Sequence, residues 1–214
     1  MNSAAPEGPI VFIVEDDDEL RLSLDSLFRS VGLKTSMFPN AREFLDARRP
    51  DANGCLVVDV RLPGLSGLDF HDQLTKAGSA IPVIFMTGHG DIPMTVRAMK
   101  AGAVDFLPKP FRDQDMLDAV ASALEIDRHR REGEVELVAL RKRYAELTSR
   151  ERQVMALVTT GLMNKQVAGK LSLSEVTVKI HRGSAMRKMD AKTLADLIKM
   201  AEMLELHQSF EDSY

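Results

Sequence analysis

Residues 9–32 read PIVFIVEDDDELRLSLDSLFRSVG. An apolar run of β-branched and aromatic residues stops at Val14. Five consecutive acids follow, Glu15, Asp16, Asp17, Asp18 and Glu19, and leucines then return with helical spacing. The run before the acids has the length and composition of a strand buried on both faces. After them Leu20, Leu24, Leu27, Phe28 and Val31 recur at i, i+4, i+7, i+8 and i+11. That spacing predicts an amphipathic helix, and Gly32 supplies its C-terminal stop. Adjacent carboxylates repel one another, so the acids need a use. Asp17 or Asp18 can cap the helix, and Glu19 sits in its first turn, where the macrodipole favours negative charge. Asp16-x-x-Glu19 also fits a capping box, which leaves Asp16 open to either the helix or a site.

The same alternation runs on to residue 112. Strand-like runs recur at LKTSMF (33–38), CLVVDV (55–60), IPVIFM (81–86) and AVDFL (103–107), with helical patterns at 40–48, 66–77 and 91–101. Five strands alternating with helices predict a doubly wound, five-stranded parallel sheet covered on both faces. From Asp113 no further strand pattern occurs. Residues 113–146 read as one helix, about 50 Å long at 1.5 Å per residue. Its centre, DRHRREGEVE (127–136), is charged on every side, as expected of an exposed connector between two domains. Shorter helices fit 149–160, 164–171, 175–188 and 191–205, and a loose tail follows at 208–214.

The chain of 214 residues is 44% hydrophobic and 28% charged, which suits a globular protein and excludes a disordered or fibrous one. No apolar run reaches the roughly 20 residues that span a bilayer. The first residues, MNSAAPEGP, lack the basic and apolar regions of a signal peptide. The single cysteine, Cys55, excludes an intrachain disulfide and a cysteine-based zinc cluster. A cytoplasmic protein with no membrane partner is the expectation. Net charge is −3 over 1–112, −3 over 113–146 and +2 over 147–214, with +3 concentrated in 175–189. A basic helix suits a polyanion partner, although charge alone leaves a solvated face equally open.

In an open parallel sheet, sites form beyond the carboxyl ends of the strands. The first strand delivers Glu15 and Asp16, the third carries Asp59, the fourth delivers Thr87, and the fifth leads to Lys109 and Pro110. Three carboxylates, a hydroxyl and an ammonium at one rim call for a cation to offset the acids. A hard, oxygen-seeking ion such as Mg2+ fits, and the set suits phosphoryl transfer onto an aspartate. Any one of these residues alone reads more simply as a solvated loop residue. The constellation carries the argument.

Glu15-Asp16, Asp59 with RLPGLSG (61–67), FMTGHGD (85–91) and AGAVDFLPKPF (101–111) resemble, in order and spacing, the CheY-like receiver domain of two-component response regulators. The resemblance covers about residues 9–125 and implies a flavodoxin-like fold. It implies that Asp59 accepts a phosphoryl group from the phosphohistidine of a sensor histidine kinase. Beyond that self-phosphorylation and a slow autodephosphorylation, no enzyme is implied. Asp16 and Asp59 would ligate Mg2+ directly (Mn2+ or Ca2+ can substitute), Glu15 largely through water, and the backbone carbonyl of Arg61 would complete the protein ligands. Thr87 and Lys109 would bind the phosphoryl oxygens, Phe106 would swing inward with Thr87, and Lys109-Pro110 would be cis. Glu15 stands where many members carry Asp.

Further on, Thr148-x-x-Glu151 is a capping-box pattern, and NKQVAGKL (164–171), the turn 172–174 and a basic helix make a helix-turn-helix. Short helices and turns occur in any small bundle. The runs LTSRERQV at 147–154 (L-T-x-R-E-x-x-V), G-x-x-N-K-x-x-A at 161–168 and S-x-x-T-V-K-x-H at 174–181 nevertheless resemble the LuxR-type helix-turn-helix. That resemblance puts 175–188 in the major groove. Lys179, Ile180 and Arg182 become candidates for base or phosphate contact, and Thr177, Asn164 and Lys165 hold the DNA backbone. Gly183 departs from relatives that often carry a base-reaching side chain there.

Together these resemblances identify a response regulator of the FixJ/NarL type, an α/β receiver joined by a long helix to an all-α domain. Its expected parts are a flexible N-terminus (1–8), the receiver (9–125), a helical linker (126–146), the DNA-binding domain (147–207) and the tail. The implied function is phosphorylation-dependent control of transcription by a homodimer on double-stranded promoter DNA, with RNA polymerase as a further partner. A Mg2+-dependent phosphohydrolase fits less well, because Val60 and Arg61 follow Asp59 and no second acid stands at the +2 position. A small-ligand sensor fits less well because the acid pocket leaves no large apolar cavity.

Overall fold

The structure, a computed structural model, describes residues 8–206 apart from 49, 51 and 89–91. The expected N-terminal segment up to residue 7, residue 207, the tail 208–214 and the His89–Asp91 part of FMTGHGD lie outside the described residues.

Five strands, β1 (Ile10–Val14), β2 (Lys34–Phe38), β3 (Gly54–Asp59), β4 (Val83–Thr87) and β5 (Asp105–Pro108), form one parallel sheet in the order β2-β1-β3-β4-β5. Helices α1 (Asp18–Ser30), α2 (Ala41–Asp46), α3 (Gly67–Lys76) and α4 (Ile92–Lys100) alternate with them, and α5 (Asp113–Ala145) follows. Side chains alternate across each strand, so the central strands feed two cores. Phe12, Val14, Leu56, Val58 and Phe85 enter one; Val11, Ile13, Val57, Ile84 and Met86 enter the other with Leu24, Phe28 and Val120. Strand order reverses between β1 and β3, which opens a crevice at their carboxyl ends.

Val31, expected on the apolar stripe of α1, is exposed instead. The helix stops at Ser30, Val31 becomes its C-cap, and Gly32 turns the chain at φ 82°.

The chain divides into two compact units after Arg131. The stretch read as an exposed linker over 126–146 is not solvated throughout. Asp127 is 1% exposed: Oδ2 accepts the Gly54 N–H at 2.9 Å, and the carboxylate pairs with Arg130 at 2.6 Å and Arg131 at 2.8 Å. Burial alone would raise its pKa, but the two guanidiniums and the Gly54 N–H outweigh burial and lower it. A run charged on all sides does not reveal which acid turns inward. Asp127→Ala would strand a buried N–H and two guanidiniums. Urea unfolding should show the first unit less stable by about 2–3 kcal/mol; an unchanged midpoint would refute the clasp.

In the second unit α6 (Ser149–Val158), α7 (Asn164–Leu171), α8 (Glu175–Met189) and α9 (Leu194–Met203) close around Val154, Met155, Val167, Val178, Met189 and Leu197. Leu140, also read as linker, is buried in this core. The last helix begins later than residue 191 because Thr193 and Asp196 cap it reciprocally. Among the described residues no helix is long and apolar enough to cross a membrane.

Candidate functional site

β1 and β3 pair with Val14 opposite Val58, so Glu15 and Asp59 emerge side by side. β4 places Met86 opposite Asp59, and Thr87, fully buried, follows at the strand end. β5 is held against β4 by the Lys109 N–H on the Thr87 carbonyl at 2.7 Å, and the Lys109–Pro110 bond is cis. Oxygens of Glu15, Asp16 and Asp59 lie within 4.8 Å of one another, with Glu15 and Asp59 buried and Asp16 exposed. The Lys109 ammonium donates to Glu15 Oε2 at 2.6 Å and to Asp59 Oδ2 at 3.0 Å. The Arg61 N–H donates to Asp59 Oδ1 at 3.2 Å, which brings the backbone at Arg61 beside the pocket.

Burial pushes the Glu15 carboxyl above its ordinary range even though Lys109 pulls the other way. For Lys109, burial alone would lower the ammonium, but Glu15 and Asp59 outweigh burial and raise it. The lysine stays charged and binds two of the three clustered carboxylates. An all-oxygen set with surplus negative charge fits a hard divalent ion of the Mg2+ kind.

Asp17 caps α1: its Oδ1 accepts from the N–H of Glu19 at 2.9 Å and of Leu20 at 3.0 Å. That assigns the cap to Asp17 and leaves Asp16 to the pocket. Phe106 is buried, with its ring centroid 6.5 Å from that of Phe85. It belongs to the same core as Phe85, Ala98 and Ala103.

Two further residues shape the pocket. Arg21 reaches back from α1, donates to the Glu15 carbonyl at 2.7 Å and pairs with Asp18. It holds the acid loop from behind, and its separation from Glu15 matches no regular helical pairing. Gly67 opens α3 with its N–H on the Val60 carbonyl at 2.9 Å. A Cβ there would lie 2.3 Å from the Asp59 carbonyl oxygen, so only glycine lets the helix start this close to Asp59.

In the second unit Ser174 caps α8, accepting the Thr177 N–H at 3.0 Å, and the two hydroxyls lie 2.8 Å apart. Arg182 donates to Asn164 Oδ1 at 3.3 Å, which brings the start of α7 to the middle of α8. Lys165, Lys179 and Ile180 are exposed. Behind them the Glu151 carboxylate accepts from the Thr148 N–H at 2.7 Å, Ser184 at 2.6 Å and Lys188 at 2.7 Å.

Comparison with known proteins agrees with this geometry. The response regulator receiver domain family matches residues 11–121, and the luxR family of bacterial regulatory proteins matches residues 145–201. Nodulation protein W of Bradyrhizobium diazoefficiens is 60% identical over 203 residues, 95% of this chain and 89% of that protein. The structure of response regulator StyR is similar with a TM-score of 0.77 at 48% identity, covering 91% of this chain and 98% of its own. Full-length FixJ from B. japonicum gives 0.56 at 38% identity, covering 94% and 98%. A receiver followed by LuxR-type helices defines a class of phosphorylation-regulated transcription regulators. The chain belongs to that class, the two-component response regulators, in their FixJ-type branch. The receiver implies a kinase partner and the LuxR-type helices imply DNA.

Proposed function

We propose that Asp59 takes a phosphoryl group from a kinase phosphohistidine and that the modified receiver pairs two copies of the chain on promoter DNA. The observation behind this is the meeting of Glu15, Asp16, Asp59 and Lys109 at one sheet edge. A carboxylate oxygen of Asp59 attacks phosphorus. The P–O bond forms as the P–N bond breaks, and the imidazole leaves with the electron pair and takes up a proton. Lys109, already 3.0 Å from Asp59 Oδ2, offsets the charge of the incoming group, and the Thr87 hydroxyl hydrogen-bonds it. Glu15, Asp16, Asp59 and the Arg61 carbonyl would hold Mg2+ (or Mn2+ or Ca2+), which when bound neutralises charge on the transferring group. Phe106 repacks against Phe85 as Thr87 shifts, and the altered surface favours the dimer. Beyond accepting the phosphoryl group, the chain only hydrolyses its own aspartyl phosphate slowly, and the protein acts in the cytoplasm with RNA polymerase at the promoter.

On DNA, α8 enters the major groove with Lys179 and Ile180 foremost, while Asn164, Lys165, Thr177 and Arg182 hold phosphates. With Mg2+ and beryllofluoride, sedimentation should move from monomer to dimer, and affinity for a duplex operator should rise about tenfold or more. Unchanged mass and affinity would reject the switch. Lys179→Ala should weaken DNA binding about tenfold and flatten its salt dependence, leaving the beryllofluoride response intact. Wild-type affinity in that variant would remove α8 from the groove.

A further inference from the structure

We propose that Val176, together with Ile180, reads thymine C5-methyl groups in the major groove, so that part of this protein's sequence preference is apolar. The inference rests on the DNA-binding reading above and deepens it.

α8 has two well-separated faces. Val178, Ala185 and Met189 point into the core. Val176, Lys179, Ile180 and Gly183 follow one another at i, i+3, i+4 and i+7 and so share the opposite face. Val176 is 69% exposed and Ile180 65%. Single exposed apolar residues are ordinary. Here two β-branched side chains stand one turn apart, with a lysine between them, on the helix that the proposed function places in the major groove, within the residues the luxR family matches.

Two of the nearby hydrogen-bonding groups already have partners within the protein. The Thr177 hydroxyl is 2.8 Å from that of Ser174, and Arg182 donates to Asn164 at 3.3 Å. Past Ile180 the face is bare, because a Cβ added at Gly183 would meet nothing within 4 Å. A bare turn lets the helix approach the base edges closely and brings the valine and isoleucine into contact range. Neither side chain can donate or accept a hydrogen bond. In the major groove the apolar feature of a base edge is the thymine methyl. Lys179 on the same face supplies the charge complementarity to phosphate that seats the helix.

The test uses the full chain activated with Mg2+ and beryllofluoride. A preferred duplex is selected from random sequence, and each thymine is then replaced by deoxyuridine, which lacks the methyl and keeps every hydrogen-bonding group. For the wild type, at least two thymines per half-site should each cost about fourfold in affinity when demethylated, the worth of roughly one methyl withdrawn from water. Val176→Ser should lose the uridine penalty at one of them, and Val176→Thr, which keeps a γ-methyl, should retain it. A uridine profile identical in wild type and Val176→Ser, or no sensitive thymine at all, overturns the inference while leaving DNA binding intact. Failure to bind any duplex overturns the DNA-binding reading and this inference with it.

Discussion

Asp59→Asn should abolish phosphoryl acceptance, with labelling by a phosphohistidine donor falling by at least about a hundredfold. An amide of the same shape has no carboxylate oxygen to attack phosphorus, and it removes one of the three acids gathered at the sheet edge. The fold should not suffer. Lys109 keeps its 2.6 Å bond to Glu15, and repulsion between Glu15 and residue 59 is relieved. The variant should therefore unfold in urea at the same concentration as the wild type or a higher one, while its response to beryllofluoride disappears. Loss of labelling together with loss of fold would not separate the two effects, so the urea midpoint is measured alongside. Retained labelling would mean that Glu15 or Asp16 accepts the phosphoryl group, and the assignment of Asp59 would fail.

Much of that pocket could be read before any coordinates. β1, β3 and β4 are continuous apolar runs, and such runs in alternation with helices define a covered parallel sheet. Once the sheet is parallel, residues just past strand ends share a rim, which locates Glu15, Asp59, Thr87 and Lys109 from their places in the chain. What stayed hidden depends on how the chain folds back in three dimensions. Arg21 grips the Glu15 carbonyl only because of the course of the acid loop. Gly67 is required by a backbone that passes beside Asp59 from another element. Asp127 sits in a charged run whose single inward-turned member is selected by the distant Gly54 N–H. The choice between Asp16 and Asp17 as helix cap was likewise open until the bonds to Glu19 and Leu20 were placed.

Glu151 shows the same division and supports the largest stability effect expected in the second unit. Its capping of Thr148 follows from spacing, whereas Ser184 and Lys188 lie 33 and 37 positions further on. Burial alone would raise its pKa, but Lys188, Ser184 and Thr148 prevail and hold it at about 2. The folded value is thus below the unfolded value of 4.5, so the interaction stabilises the fold above about pH 4.5 and is lost as pH falls toward 2. Glu151→Gln removes the charge and keeps the shape. At neutral pH the variant should be less stable by about 2–3 kcal/mol, and the gap should shrink by more than half at about pH 3. Urea unfolding followed through Tyr144, which packs against the same core, reports this unit directly. A gap of the same size at both pH values would show that the loss does not follow the titration of the Glu151 carboxylate and would refute the charge-based account.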